Sequence, residues 1–218
     1  MTVDFQAMRV KMVDGQVRTT DVTDAAILAA MLDVPREAFV PAGMKPLAYM
    51  DEDLALGEGR FLMRASPFAR LVQLCGVRAG DLVLDVGCGR GYSSAVLARV
   101  AGFVVALESE AALAAEASAA LAAIGCDNVS VVTGALPAGH AAQAPYDAIV
   151  IEGAVDAVSP ALLDQLKEGG RLVAVVGEGN SARATLWVKE AGLVSSRPVF
   201  NAAVPALAAF RREPAFQF

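Results

Sequence analysis

Leu82-Val-Leu-Asp85-Val-Gly87-Cys-Gly89-Arg-Gly91-Tyr-Ser-Ser94 is the stretch on which the reading of this chain turns. An apolar run ends at a carboxylate, three glycines follow at alternate positions, and a helical pattern begins behind them. That order describes a buried strand, a tight turn and a helix N-terminus. Outward from it the same alternation repeats. Short apolar runs at Leu82 to Val86, Phe103 to Leu107, Val129 to Val132, Ala148 to Ile151 and Leu172 to Val176 are separated by helix candidates at Ser93 to Val100, Ser109 to Ile124 and Pro160 to Leu166. Strands that read as continuously apolar, with helices between them, predict a doubly wound α/β fold with a mostly parallel sheet. Ser109 is the expected cap of the second helix and Gly125 its left-handed stop. Val194 to Phe200 and Ala206 to Arg211 are expected to add an antiparallel pair at the sheet edge, for seven strands in all.

Residues 1–56 follow a different rule. Val22, Ala25, Ala26, Leu28, Ala29 and Leu32 recur with a helical period behind Asp21 and Thr23 as cap candidates. Pro35, Pro41 and Pro46 forbid one long helix through 35–47, so an extended connection is expected there. The predicted organisation is a helical N-terminal subdomain over 1–56 and the doubly wound domain over 57–218.

Composition narrows the chemistry. The chain of 218 residues is 56% hydrophobic and 19% charged, which supports a packed core rather than disorder. Alanine supplies about a fifth of the residues, and Arg99, Glu108, Asp147, Glu152 and Arg171 interrupt every apolar run long enough to resemble a membrane span. A formal charge of −6 has the wrong sign for holding nucleic acid by its phosphates. Cys75, Cys88 and Cys126 form no CxxC pair and there is one histidine, His140, in a predicted surface loop, so neither a disulfide framework nor a metal site is expected. The first twenty residues carry Asp4, Arg9, Lys11 and Asp14 without the apolar core of a secretory leader. The expectation is a reduced, cytoplasmic protein outside any membrane.

In a doubly wound sheet a small molecule sits at the carboxyl ends of the strands. The dinucleotide fingerprint asks for glycine or alanine where this chain has Tyr92, and neither a P-loop nor a G-x-S-x-G elbow occurs. Instead Asp85 stands just before G-x-G-x-G and Glu108 closes the next strand. This pattern resembles the S-adenosylmethionine site of Rossmann-like methyltransferases. The resemblance assigns the cofactor to Asp85, Val86, Gly87, Cys88, Gly89, Gly91, Glu108, Gly134 and Ala135: Asp85 toward the ammonium group, Glu108 toward the ribose hydroxyls, and Gly134 and Ala135 beside the adenine.

A more specific likeness lies outside the loop. Met12-Val13, Gln16-Val17-Arg18, Val34-Pro-Arg-Glu37, Phe39-Val-Pro41, Ala48-Tyr49-Met-Asp51 and Leu56-Gly57-Glu-Gly59 occur in the order of the N-terminal signature of the protein-L-isoaspartate O-methyltransferases. The likeness continues through Leu121 to Val129, Ala144-Pro-Tyr-Asp147 and Leu163 to Gly170, covering most of residues 8–177. It implies transfer of a methyl group from S-adenosylmethionine to the carboxylate of isoaspartyl residues in damaged peptides and proteins, the step that starts their return to aspartate through a succinimide.

One segment departs from the family. Where the family writes Gln-Thr-Ile-Ser before a proline, this chain has Arg60-Phe-Leu-Met-Arg-Ala-Ser66-Pro67. Counting from Gly59 puts Met63 at the serine position, and counting back from Pro67 puts Ala65 there. Ser66 is adjacent and is the candidate catalytic hydroxyl, its other reading being a cap for a helix starting at Pro67. The acid that the family places after the glycine of the third strand is also missing from Gly134-Ala135-Leu136. Arg60 and Arg64, in an island with Arg70 and Arg78, are candidates to meet the substrate carboxylate. Two alternatives therefore stand beside isoaspartyl methylation: a divergent methyltransferase with another carboxylate or small-molecule acceptor, and a cofactor-binding protein without catalysis.

Overall fold

The computed structural model describes residues 3–212. Its framework is a seven-stranded sheet in the order β5-β4-β3-β6-β7-β8-β9. The members are β3 (Leu82–Val86), β4 (Phe103–Glu108), β5 (Val129–Thr133), β6 (Tyr146–Val155), β7 (Leu166–Val176), β8 (Arg183–Glu190) and β9 (Leu193–Asn201). The first five are parallel, and β8 and β9 run antiparallel to their neighbours. The chain leaves β3 for β4 on one side and later returns to pair β6 against its other side. That reversal opens a crevice at the carboxyl ends of β3 and β6.

Both faces of the sheet are covered. On one, Val83, Val104, Ala148, Val150 and Val173 pack with α3 (Ala65–Cys75), α4 (Tyr92–Ala98) and the N-terminal segment, including α1 (Phe5–Met12) and α2 (Ala25–Asp33). On the other, Leu84, Val105, Leu107, Ile149 and Leu172 pack with Leu136, Leu162, Leu207 and Phe210. Met12, Val13, Val17, Met31, Val34 and Phe39 are at most 1% exposed and continuous with the first of these cores. Each such side chain contributes roughly 1.5 to 3 kcal/mol by leaving water, so the helical segment before residue 56 is pinned to the sheet by its own apolar stripe.

The five predicted parallel strands form, β6 and β7 running longer than expected. Helix α5 (Ala111–Ala123) carries Leu113, Ala114, Ala117 and Leu121 on its buried side and is followed by Gly125 in the left-handed region. Its N-cap is Glu110, not Ser109, whose hydroxyl turns toward Glu108 and Glu110. Helix α2 is capped by Asp24, which accepts from the amides of Ala26 and Ile27, while the expected cap Asp21 takes a left-handed turn. The connection expected to be extended through 35–47 coils into two short 3-10 turns, Arg36–Phe39 and Ala42–Leu47, which proline tolerates at such lengths.

The last strands differ from expectation. The antiparallel partner of β9 is β8, and Ala206 to Arg211 is not a strand. That segment makes one isolated bridge to β6 and a 3-10 turn at Ala208–Phe210. Gly153 explains its path. A Cβ there would stand 2.7 Å from Leu207 Cγ and 3.0 Å from the Pro205 carbonyl, so the missing side chain lets 205–207 dock on the end of β6. Two further elements, β1 (Leu54–Gly57) and β2 (Arg60–Leu62), make a small hairpin that leads into α3. Among the described residues no helix is long and apolar enough to cross a membrane, and no cluster of His, Cys, Asp or Glu could hold a metal ion.

Candidate active site

Three adjacent strands of the sheet centre, β4, β3 and β6, each carry a carboxylate at or near their carboxyl ends: Glu108, Asp85 and Glu152. Between the first two passes the glycine loop, with Gly87, Gly89 and Gly91 at φ of 83°, 55° and 93°. L side chains avoid these conformations. Gly91 is also a packing position, since a Cβ there would come 3.2 Å from Ala117 Cβ and 3.3 Å from Leu121 Cδ1. The alanine at 117 lets the loop turn directly against α5.

Glu108 is fully buried. Its Oε1 accepts from the backbone N–H of Ser109 (2.7 Å) and Glu110 (3.1 Å), and its Oε2 from that of Gly89 (2.9 Å). The carboxylate thereby fixes the glycine loop to the start of α5. Its side-chain partners are Ser109, whose hydroxyl reaches Oε1 at 3.4 Å, and Arg60, whose Nε lies 3.0 Å from Oε1 and 3.2 Å from Oε2 while the other end of the guanidinium donates to Ser109 Oγ at 2.6 Å. Arg60, expected to face a substrate carboxylate, is 4% exposed and directs its charge to the cofactor side of the cleft.

Asp85 is also fully buried. Its Oδ2 accepts from Ser93 Oγ (2.7 Å) and Ser94 Oγ (2.5 Å), the serine pair that opens α4, whereas among the described residues no protein donor reaches Oδ1. Burial pushes its carboxyl up to about 6, against the two serine hydroxyls, and the charge of Glu108 adds to the rise. Glu152, which the sequence reading did not single out as a site residue, stands beside it. Asp85 is paired in register with Val150, two residues before Glu152, so both carboxyls leave the same face of the sheet. Burial, and then Asp85, raise the Glu152 carboxyl well above its ordinary range, while Arg36 pulls the other way. The signal that could have found Glu152 is the repeated pattern itself: Leu-Val-Leu-Asp85, Val-Ala-Leu-Glu108 and Ile-Val-Ile-Glu152.

The cleft over these groups is lined by Phe39, Leu56, Phe61, Leu62, Met63, Phe68, Gly87, Cys88, Arg90, Tyr92, Ser93 and Glu152. Its free volume is about 10 Å³, room for about one water. Leu56 of β1 lies over Gly89 at 3.0 Å from the position of a Cβ, and Leu207 over Gly87 at 3.4 Å. Arg36 braces the wall. Fully buried, it donates to the Ala48 carbonyl (2.7 Å) and the Met63 carbonyl (2.7 Å), with its guanidinium 4.7 Å from the centre of the Tyr92 ring. Cys88 is held as a thiol by burial and by the surrounding carboxylates. Gly134 and Ala135 follow β5 next to the end of β4, where the Gly134 amide donates to the Glu108 carbonyl at 3.0 Å.

Met63 lines this cleft and Ser66 does not. Ser66 sits in the first turn of α3, which begins at Ala65 with Arg64 as its N-cap, so Ser66 is not the cap either. Its hydroxyl donates to Thr20 Oγ1 at 3.0 Å in a separate groove with Gln16, Arg64, Arg70 and Ala203. Arg64 pairs with Asp53 and donates to the Ala203 carbonyl, and Arg70 covers the ring of Phe200. Three of the four arginines of the island, Arg60, Arg64 and Arg70, thus turn to separate sets of partners.

The residues suit S-adenosylmethionine by their chemistry. Asp85, with an oxygen free of donors among the described residues, suits a cationic amino-acid moiety, beside a loop whose glycines carry no side chains of their own. Glu108 supplies a carboxylate for a diol. Entry of a nucleoside requires Leu56 and Arg60 to yield, and both belong to the short hairpin rather than to the sheet.

Comparison with known proteins gives the same picture. Residues 8–206 match the family protein-L-isoaspartate(D-aspartate) O-methyltransferase, PCMT. A protein-L-isoaspartate O-methyltransferase 1 of Rhodopseudomonas palustris is 43% identical over 179 residues, 82% of this chain and 73% of the relative. A protein-L-isoaspartate O-methyltransferase of Methanoculleus marisnigri is 38% identical over 191 residues, 88% of this chain and 87% of the relative. Among solved structures, a protein-L-isoaspartate O-methyltransferase superposes with a TM-score of 0.79 at 27% identity, over 92% of this chain and 66% of that one. A Plasmodium falciparum structure in complex with S-adenosyl-L-homocysteine shares the fold at 18% identity, with a TM-score of 0.78 over 95% of this chain and all of that one. By the match of residues 8–206 and the extent of its relatives, this chain belongs to the protein-L-isoaspartate(D-aspartate) O-methyltransferase family.

Proposed function

We propose that the protein is an S-adenosylmethionine-dependent methyltransferase that methylates the carboxylate of isoaspartyl residues in damaged proteins. The observation that carries this reading is the buried arrangement of Asp85, the glycine loop and Glu108 in a chain of this family. When bound, S-adenosylmethionine supplies an electrophilic methyl group on a sulfonium.

Asp85 and the backbone of Val86 to Gly89 hold the amino-acid end, Gly91 shapes the turn, and Cys88 contributes its small buried side chain. Glu108 accepts the ribose hydroxyls in place of Arg60, and Gly134 and Ala135 border the adenine. Phe39, Phe61, Met63 and Phe68 form an apolar wall that keeps water from the reacting atoms. A carboxylate acceptor is ionised near neutral pH and needs no strong base, so the work left to the protein is alignment. The absence of a histidine from the cleft lining accords with this. The three free, buried cysteines accord with a reducing compartment such as the cytoplasm.

A second reading keeps the cofactor and changes the acceptor to another carboxylate or a small molecule. It is favoured by the missing Thr-Ile-Ser run, which leaves Met63 or Ala65 at the family's serine position according to the count, and by Ser66 lying in a different groove from Met63. Methyl transfer to an isoaspartyl peptide, with the aspartyl peptide of the same sequence as control, separates the two. Labelling of the isoaspartyl peptide alone supports the first reading. Labelling of neither, by a protein that binds S-adenosylmethionine in calorimetry, supports the second or a binding protein without catalysis.

A further inference from the structure

Asp85 and Glu152 are the two carboxyls of the cleft whose protein partners leave an oxygen over. Asp85 Oδ1 and Glu152 Oε1 are buried and, among the described residues, no protein donor reaches either. Burial, and then the neighbouring Asp85, hold the Glu152 carboxyl well above its ordinary range. Two buried carboxyls side by side cannot both ionise without a cation between them, so the pair keeps a proton. The register of β3 and β6 places them together on one face, and Glu152 lines the cleft with Met63, Cys88 and Ser93.

We propose that Asp85 and Glu152 together form the cation subsite of the cleft, binding the ammonium group of the cofactor's amino-acid moiety and releasing to solvent the proton they share. The part of Asp85 rests on the function proposed above; Glu152 and the exchanged proton go beyond it. The balance is simple: the protonated pair and a ligand ammonium become an ionised pair holding that ammonium, and one proton leaves. An ammonium offers three N–H donors, enough to satisfy both orphaned oxygens at once, and its charge replaces that of the proton in a site with little water.

The neighbours are consistent with such an exchange. Toward the pair face Glu108 from β4, Cys88 from the loop, Ser93, Ser94 and Tyr92 from α4, and Arg36 from the 36–39 turn. Arg36 is the charge that favours ionised Glu152, but its hydrogen bonds go to the carbonyls of Ala48 and Met63, so it does not neutralise the pair by direct contact. Arg60 serves Glu108, and Arg90, also on the lining, pairs with Glu116. His140 is not among the lining residues.

The test is isothermal titration calorimetry on the full chain between about pH 6 and 7.5, where a free α-amino group remains largely protonated, in buffers of different ionisation heat. S-adenosylhomocysteine should bind with release of a substantial fraction of one proton. Its affinity should rise with pH, approaching tenfold per pH unit where release is complete. Methylthioadenosine, which has the nucleoside and sulfur but no ammonium, should bind without releasing a proton. In Glu152→Gln, S-adenosylhomocysteine should bind with little release and a nearly flat pH profile. Flat affinity without release in the unsubstituted protein, equal release with methylthioadenosine, or undiminished release in Glu152→Gln would each overturn the proposal. Failure of all the ligands to bind at any pH would instead remove the cofactor reading itself.

Discussion

Arg60 Nε lies 3.0 Å from Glu108 Oε1, joining the β1–β2 hairpin to the end of β4 across a separation of 48 residues. Both side chains are almost wholly buried, which makes the pair consequential in two opposed ways. Removing Arg60 leaves a buried carboxylate short of its cation, a change that typically costs about 3 kcal/mol or more. Here three backbone amides remain on Glu108 and moderate the loss. If Glu108 holds the ribose diol as proposed, Arg60 is also a side-chain donor that the diol must displace. Arg60→Ala should therefore lower the urea midpoint while tightening S-adenosylhomocysteine several-fold. A double-mutant cycle with Glu108→Gln should show coupling of about 1 to 3 kcal/mol in stability. Weaker cofactor binding in Arg60→Ala would mean that Arg60 itself contacts the cofactor.

The carboxyl pair sets the sign of a pH effect on stability. Asp85 is raised from 3.8 to about 6 and Glu152 is raised well above 4.5, so between about pH 4 and 7 the folded chain binds more protons here than the unfolded one. The contribution is present below the unfolded values and is lost as pH rises through the folded ones. Glu152→Gln removes one titrating carboxyl and gives Asp85 an amide donor. The unfolding midpoint should accordingly fall more between pH 5 and 8 in the unsubstituted protein than in Glu152→Gln. Parallel profiles would show that the pair does not carry its proton in the folded state.

Gly91 combines a left-handed φ with close contacts to α5. Gly91→Ala should cost about 1 to 3 kcal/mol through backbone strain and overpacking. Gly15→Ala is the matched control, because a Cβ there meets nothing within 4 Å and its φ lies outside the left-handed region. It should be neutral or slightly stabilising, since alanine narrows the unfolded ensemble. Thermal unfolding of the two variants reads the difference directly.

Asp85, Gly87, Gly89 and Glu108 were legible because strand ends and glycine turns are local signals, and the strands that carry them are apolar on both faces. The Val34-Pro-Arg36-Glu37 segment was legible only as a likeness. Its physical reason, a buried guanidinium tying Ala48 and Met63 together, depends on chain that lies 12 and 27 residues away. Glu152 escaped notice although it follows an apolar run as Asp85 and Glu108 do, because the glycine loop that marks Asp85 is missing beside it. Ala206 to Arg211 read as a strand since its apolar residues suit one. Their actual role, covering Gly87 and docking on Gly153, follows from a close backbone approach that periodicity does not record. Arg60 was expected to meet a substrate carboxylate because nothing local pairs it; its partner is set by how the hairpin folds over β4.

The acceptor side of the cleft turns on Met63 and Ser66. Met63 is 4% exposed on the apolar wall, whereas Ser66 donates to Thr20 in a groove that shares none of the cleft's lining residues. If alignment of an isoaspartyl carboxylate is governed by the wall, Ser66→Ala should leave kcat/KM for an isoaspartyl peptide within about twofold of the unsubstituted enzyme, since deleting a remote hydroxyl removes no contact made in the transition state. Met63→Ala should lower kcat/KM by tenfold or more, because the cavity it opens admits water and loosens the acceptor, and should cost about 2 to 4 kcal/mol of stability. Initial rates of labelled methyl transfer, measured well below each variant's unfolding temperature, distinguish the two effects. A collapse of activity in Ser66→Ala with unchanged stability would bring the serine back to the reaction centre and require the start of α3 to move toward the cleft during turnover.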